Sequence, residues 1–227
     1  MDILLIRHAP KNNTVKHVTG MEAQISEKAS KSVKGFIKSN DFSKYKMICI
    51  HTSPVQRAKD TADMLYDQLS EKYKVSPVVI MKSFGSYELE DNHAKNLISL
   101  EMSKLWGEAK MKANNETEAE HSALLSWCNV GYLETFNDTG ISLEDMCKRM
   151  EKYLLSIEKD NRTLHIIISH SGDIEPFVYW LISKERNLNI EDNPMLDLYK
   201  EFEGAIQPLE GFIIKLEDNM VKVIDKV

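Results

Sequence analysis

Ile3-Leu4-Leu5-Ile6-Arg7-His8-Ala9-Pro10 is the stretch that decides how the rest of the chain is read. Four apolar residues run into an arginine and a histidine, and a small residue and a proline then break the pattern. An uninterrupted apolar run of this kind marks a strand buried on both faces, as in a parallel sheet. Its C-terminal end delivers two cationic side chains to the edge where open α/β sheets place their ligands.

Outward from this strand the chain alternates. A polar loop over residues 11–24 holds Asn12, Asn13, Thr14, Thr19 and Gly20, and a loop of that length after a strand end is a functional candidate. Ser26 reads as the cap of a helix with Ala29, Val33, Phe36 and Ile37 at near-helical spacing. Met47-Ile48-Cys49-Ile50 is a second buried strand. Ser53-Pro54 reads as a serine cap with proline at the first helical position, placing Arg57 one turn inside a helix whose Ala58, Ala62 and Leu65 share a face. Residues 75–81 form a third strand. Strand, helix, strand, helix, strand predicts a parallel sheet with crossover helices.

The rhythm then breaks. Phe84 opens a loop containing Tyr87, Glu88, Leu89 and Glu90, and residues 92–138 read as a helical lid insertion. Met102, Trp106, Met111 and Trp127 are its expected core. Ser142-Leu143-Glu144-Asp145 resembles a capping box opening a helix with Met146, Met150, Tyr153, Leu154 and Ile157 on one stripe. His165-Ile166-Ile167-Ile168-Ser169-His170 is a fourth strand, again ending in histidine, and a helix follows Ser171-Gly172-Asp173. Residues 187–207 look irregular. Residues 211–216 and 220–224 alternate about Asp218-Asn219, the pattern of a hairpin. The expectation is a single α/β domain over 1–227: a three-layer sandwich with a mostly parallel central sheet flanked by helices, the lid, and a C-terminal hairpin.

Bulk properties narrow the function classes. A net charge of −6 disfavours a general nucleic-acid surface. No apolar run reaches the ~18 residues of a membrane span, and the short N-terminal run lacks a preceding basic region. The expectation is therefore a soluble, cytoplasmic protein. Cys49, Cys128 and Cys147 have neither the number nor the spacing of a disulfide framework or zinc cluster. His165 has the opposite strand parity from His170, which argues against a shared metal site.

Four positions fall on one sheet edge: Arg7-His8 after the first strand, Arg57 after the second, Glu88 or Glu90 after the third, and His170 after the fourth. A phosphate monoester dianion needs cationic donors around its oxygens, and Arg7 and Arg57 offer planar forks. The helix starts after Ser53 and Ser171 add backbone N–H groups. Histidine can attack phosphorus and carry the phosphoryl group, with Nε2 free if Nδ1–H is held by a backbone acceptor. His51 reads as structural or as a support to the site, and His17, His93 and His121 as surface or lid residues.

Three segments then carry a resemblance. Leu-Ile-Arg-His-Ala at 5–9 resembles the Arg-His-Gly motif of the histidine phosphatase superfamily, phosphoglycerate-mutase-like branch. Ser-Pro-Val-Gln-Arg-Ala-Lys-Asp-Thr-Ala at 53–62 closely resembles its second motif, and Ser-His-Ser-Gly at 169–172 its second histidine motif. Residues 24–29 and 140–146 are similar to two further family segments. The resemblance implies a metal- and cofactor-independent transfer to His8, with Arg7, Arg57 and His170 neutralising the phosphoryl oxygens and a carboxylic acid serving the leaving group. Glu88 is favoured over Glu90 for that acid, and Asn13, Thr14, Thr19, Ser171 and Glu90 are the candidates for holding a small phosphorylated metabolite or phosphate ester. Ala9 replaces the family's glycine and Ile141 its glutamate, and Pro10-Lys11-Asn12-Asn13-Thr14 departs from its Glu-Thr-x-x-Asn loop. These departures favour a phosphatase over a phosphoglycerate mutase. A phosphate-binding module without turnover is the alternative. The substrate and the oligomeric state are not legible.

Overall fold

The computed structural model describes residues 1–10, 25–81, 104, 107–109, 111–132, 142–202, 204–217 and 220–227. The chain divides into two compact units. The first comprises residues 1–82, 155–170 and 207–227, and the second residues 83–154 and 171–206.

The first unit is an α/β layer. Its strands are β1 (Asp2–Arg7), β2 (Met47–Thr52), β3 (Val79–Ile80), β4 (Thr163–Ser169), β5 (Gly211–Glu217) and β6 (Met220–Lys226), and its helices α1 (Ala29–Ser39) and α2 (Gln56–Ser70). They form one mixed sheet in the order β3-β2-β4-β1-β5-β6. The β3-β2-β4-β1 part is parallel, while β5 and β6 are the expected antiparallel hairpin. β4 thus lies between β1 and β2, pairing Leu5 with Ile167 and His51 with Ile167 from opposite sides.

The apolar runs are explained by burial on both faces. Leu4, Ile6, Ile48, Ile50, Ile166 and Ile168 face one way and pack with Ala29, Val33 and Phe36 of α1 and Ala58, Ala62 and Leu65 of α2. Ile3, Leu5 and Ile167, of opposite parity, are also buried. Each such side chain contributes about 1.5–3 kcal/mol by leaving water. The hairpin can lie against β1 because position 211 is glycine: a Cβ there would run into the Leu5 carbonyl oxygen and, at 2.7 Å, Ile6 Cα.

Several local expectations are corrected. Ser26 does not cap α1. Its carbonyl accepts from Ala29 N–H at 2.9 Å in a turn, and α1 begins after Lys28 with no side-chain cap. α2 starts at Gln56 rather than at Pro54, with Val55 at the cap position. Ser53 Oγ is 3.4 Å from Val55 N–H but is engaged more closely elsewhere. The third strand shrinks to Val79–Ile80, because Val75 makes only an isolated bridge to Ile48 and Pro77 cannot donate to a ladder.

The second unit is helical where described: α3 (Glu116–Val130), α4 (Leu143–Ser156, its last two residues belonging to the first unit), α5 (Ser171–Glu185) and α6 (Met195–Glu201). Asn115 caps α3, its side chain accepting from Glu118 N–H at 2.9 Å. The capping box at α4 forms as expected: Ser142 Oγ accepts from Asp145 N–H at 3.1 Å, and Asp145 Oδ2 accepts from Ser142 N–H at 3.0 Å. The segment expected to be irregular holds a short 3-10 turn at Ile190–Asp192 and then α6, whose Met195, Leu198 and Tyr199 are buried. Of the residues expected to form a lid core, Trp127 is buried, but Met111 is 81% exposed and belongs to no core. Met102 and Trp106 lie outside the described residues. Among the described residues no helix is long and apolar enough to cross a membrane.

Candidate active site

The site is assembled at the C-terminal ends of β1, β2 and β4. Backbone bonds carry the ladder one step past the strands: His8 N–H donates to Ser169 C=O and Ser53 N–H to Ile168 C=O, both at 3.0 Å. Arg7 is clamped from the other side, its N–H donating to Glu210 C=O at 2.9 Å and its C=O accepting from Leu209 N–H at 3.0 Å. Leu209 adopts φ +67° to make that turn, a left-handed conformation unusual for leucine.

His8 is 4% exposed. Its Nδ1 lies 2.6 Å from Ala9 C=O, an acceptor only, so Nδ1 carries the proton. Nε2 is therefore the lone-pair nitrogen, and Arg57 Nε–H donates to it at 2.8 Å. His170, buried, faces His8 with ring centroids 5.2 Å apart and planes inclined at 56°. Ser53 Oγ is 2.8 Å from His170 Nε2. Arg7 is 5% exposed at the end of β1, beside Ser169 in the ladder.

Of the residues singled out in the sequence, His8, His170 and Arg57 are brought together, and Arg7 lies at the same strand ends. Ser171 opens α5, where its hydroxyl donates to Glu175 Oε1 at 2.7 Å. That oxygen also accepts from Ile206 N–H at 3.0 Å, anchoring a carboxylate that is completely buried. Asn13, Thr14, Thr19, Glu88 and Glu90 lie outside the described residues.

Two buried hydroxyls were missed as participants. From sequence alone Ser53 reads as a helix cap. Thr61, inside the second motif, had no assigned role, yet its Oγ1 accepts from Ala9 N–H at 3.0 Å and its O–H donates to Arg57 C=O at 2.7 Å. Its position one turn after Arg57 was the available signal.

Behind the site, on the other sheet face, His51 Nε2 and His165 Nδ1 share a hydrogen bond of 2.9 Å. Burial lowers both imidazoles to about 4, helped by the mutual repulsion of the pair at His51 and by the N-terminal ammonium at His165. Both are neutral at pH 7 and link β2 to β4. Among the described residues no group of three or more His, Cys, Asp or Glu is placed to hold a metal ion.

The chain belongs to the histidine phosphatase superfamily (branch 1), whose sequence model matches residues 3–190. Similar solved structures include a mycobacterial glucosyl-3-phosphoglycerate phosphatase, 15% identical with TM-score 0.56 over 98% of this chain and 96% of that one. A phosphoglycerate mutase from Bacillus anthracis is 15% identical with TM-score 0.56, over 100% and 92%. A phosphoserine phosphatase from Entamoeba histolytica is 14% identical with TM-score 0.53, over 99% and 95%. At such identities the likeness is one of fold. No curated protein matches the chain.

Proposed function

We propose that this protein is a phosphatase that hydrolyses phosphate monoesters through a phosphoryl group carried on His8 Nε2. In the first step the Nε2 lone pair forms a bond to phosphorus while the P–O bond to the alcohol breaks, and an acid gives the leaving oxygen its proton. In the second step water attacks phosphorus and the P–N bond breaks, returning His8 and releasing inorganic phosphate. Arg57, Arg7 and His170 stabilise the charge on the non-bridging oxygens, the electrostatic share of the barrier reduction. Glu88, with Glu90 as the alternative, is assigned the acid role, reversed in the second step when the carboxylate activates water.

The observation that carries this reading is the state of His8: Nδ1–H is committed to Ala9 C=O, and the unprotonated Nε2 accepts from the Arg57 guanidinium and faces a second imidazole. Family membership supports it. The expected substrate is a small phosphorylated metabolite or phosphate ester.

The test is hydrolysis of p-nitrophenyl phosphate in the presence of EDTA. Turnover that survives chelation and disappears in His8→Ala, with an acid-labile, base-stable phosphoenzyme trapped on the wild type, is the expected result. Full activity in His8→Ala would overturn the assignment.

A further inference from the structure

Thr61 is completely buried on the inner face of α2, one turn beyond Arg57. Its single hydroxyl proton is committed to Arg57 C=O at 2.7 Å, so towards Ala9 the oxygen can only accept, and it takes Ala9 N–H at 3.0 Å. The carbonyl of that same Ala9 accepts Nδ1–H of His8 at 2.6 Å, and Arg57 Nε–H returns to His8 Nε2 at 2.8 Å. Four hydrogen bonds thus close a circuit from His8 through Ala9, Thr61 and Arg57 back to His8. Every donor and acceptor in it has a determined direction.

We infer that Thr61 is a positioning residue for phosphoryl transfer: it fixes the Ala9 backbone against α2, and through Ala9 C=O it holds His8 in the tautomer whose Nε2 can attack. This inference rests on the reading of His8 as nucleophile. The physical reason is that Ala9 is fully buried and its N–H meets the Thr61 hydroxyl rather than water. Without the hydroxyl that donor has to find another acceptor, and the shift of the Ala9 backbone this requires is passed through Cα to the carbonyl that holds Nδ1–H. A displacement of about 1 Å at a nucleophile costs on the order of 10²-fold in rate. The same hydroxyl joins the backbones of Ala9 and Arg57, so the loss also loosens the spacing between nucleophile and guanidinium.

The experiment compares wild type, Thr61→Val and Thr61→Ser. Valine keeps the shape and removes the hydroxyl, whereas serine keeps the hydroxyl and removes a methyl. With p-nitrophenyl phosphate, kcat of Thr61→Val is expected to fall about 10- to 100-fold, and Thr61→Ser to stay within about threefold of wild type. Nitrogen-15 NMR of His8 is the second readout. Wild type and Thr61→Ser should show the Nδ1–H tautomer with a slowly exchanging Ala9 amide, and Thr61→Val a tautomer mixture. Equal loss in both variants would make the role one of packing and overturn the proposal, as would wild-type His8 found in the Nε2–H tautomer. That wild-type measurement decides the matter even if Thr61→Val does not fold. Absence of any turnover or phosphohistidine in the wild type would instead overturn the phosphatase reading, while the tautomer comparison would still judge Thr61.

Discussion

Arg57 donates its Nε–H to Nε2 of His8 across 2.8 Å, so the lone pair assigned to attack phosphorus is covered by a cation in the resting protein. Attack requires that this bond open, and phosphoryl oxygens are the natural competitors for the guanidinium because charge-assisted N–H···O⁻ bonds are stronger than a bond to a neutral imidazole. On the proposed mechanism Arg57 would exchange its bond to His8 for one to a phosphoryl oxygen.

Lysine cannot reproduce that exchange, because it lacks the planar fork and the Nε–H. Arg57→Lys should lower kcat/KM by about 10²- to 10³-fold, the usual cost of one preorganised donor. Arg57 is only partly buried, so the melting temperature should move by no more than a few degrees. Steady-state kinetics alongside a thermal melt checks both halves, and unchanged kinetics would count against the assigned role.

Ser53 is fully buried and its Oγ lies against His170 Nε2. Ser53→Ala removes that partner, at an expected cost of about 1–3 kcal/mol in stability. A fall in kcat should accompany it, because His170 loses the contact that orients its ring. Urea denaturation and the pH profile of kcat are the measurements. A profile identical to wild type would confine Ser53 to a structural role.

The His51–His165 pair predicts how stability depends on acid. An unfolded histidine takes its proton near pH 6.5, whereas burial holds both of these near 4 in the folded chain. Their full contribution is present above about pH 6.5. Between there and about pH 4 the unfolded state binds more protons, and stability falls by about 1.4 kcal/mol per pH unit for each imidazole that titrates. Urea midpoints measured from pH 7.5 down to 4.5 should show the decline, and His165→Leu should flatten it. An unaltered slope in that variant would assign acid sensitivity elsewhere.

Gly211→Ala tests the seam between hairpin and sheet. The added methyl meets the backbone of Leu5 and Ile6, which cannot move aside as a flexible side chain could. Destabilisation of about 2–4 kcal/mol is expected. A urea midpoint within error of wild type would mean that β5 tolerates displacement from β1.

Legibility in the sequence followed range. Ile3 to Ile6 and Ile166 to Ile168 announced buried strands because a strand flanked on both faces needs no polar alternation. Ser142 and Asp145 announced the α4 cap because capping is settled within one turn. The errors were local signals overridden from a distance. Ser53 carries every mark of a helix cap, but its hydroxyl lies nearer to His170, 117 residues on, than to the Val55 amide. Met195, Leu198 and Tyr199 make α6 through burial, in a stretch whose Asn and Pro content reads as loop.

By itself the sequence determined the alternation of strands and helices, the family, and the arrival of Arg7-His8, Arg57 and His170 at strand ends or just beyond, since periodicity and motif order are properties of neighbouring residues. Only the tertiary structure decided which nitrogen of His8 holds the proton, that Arg57 covers the other, and that Ser53 lies against His170 and Thr61 against Ala9. The reason is that a hydrogen bond is won or lost within a few tenths of an ångström, and such distances between residues far apart in the chain exist only once the sheet has brought its strand ends together.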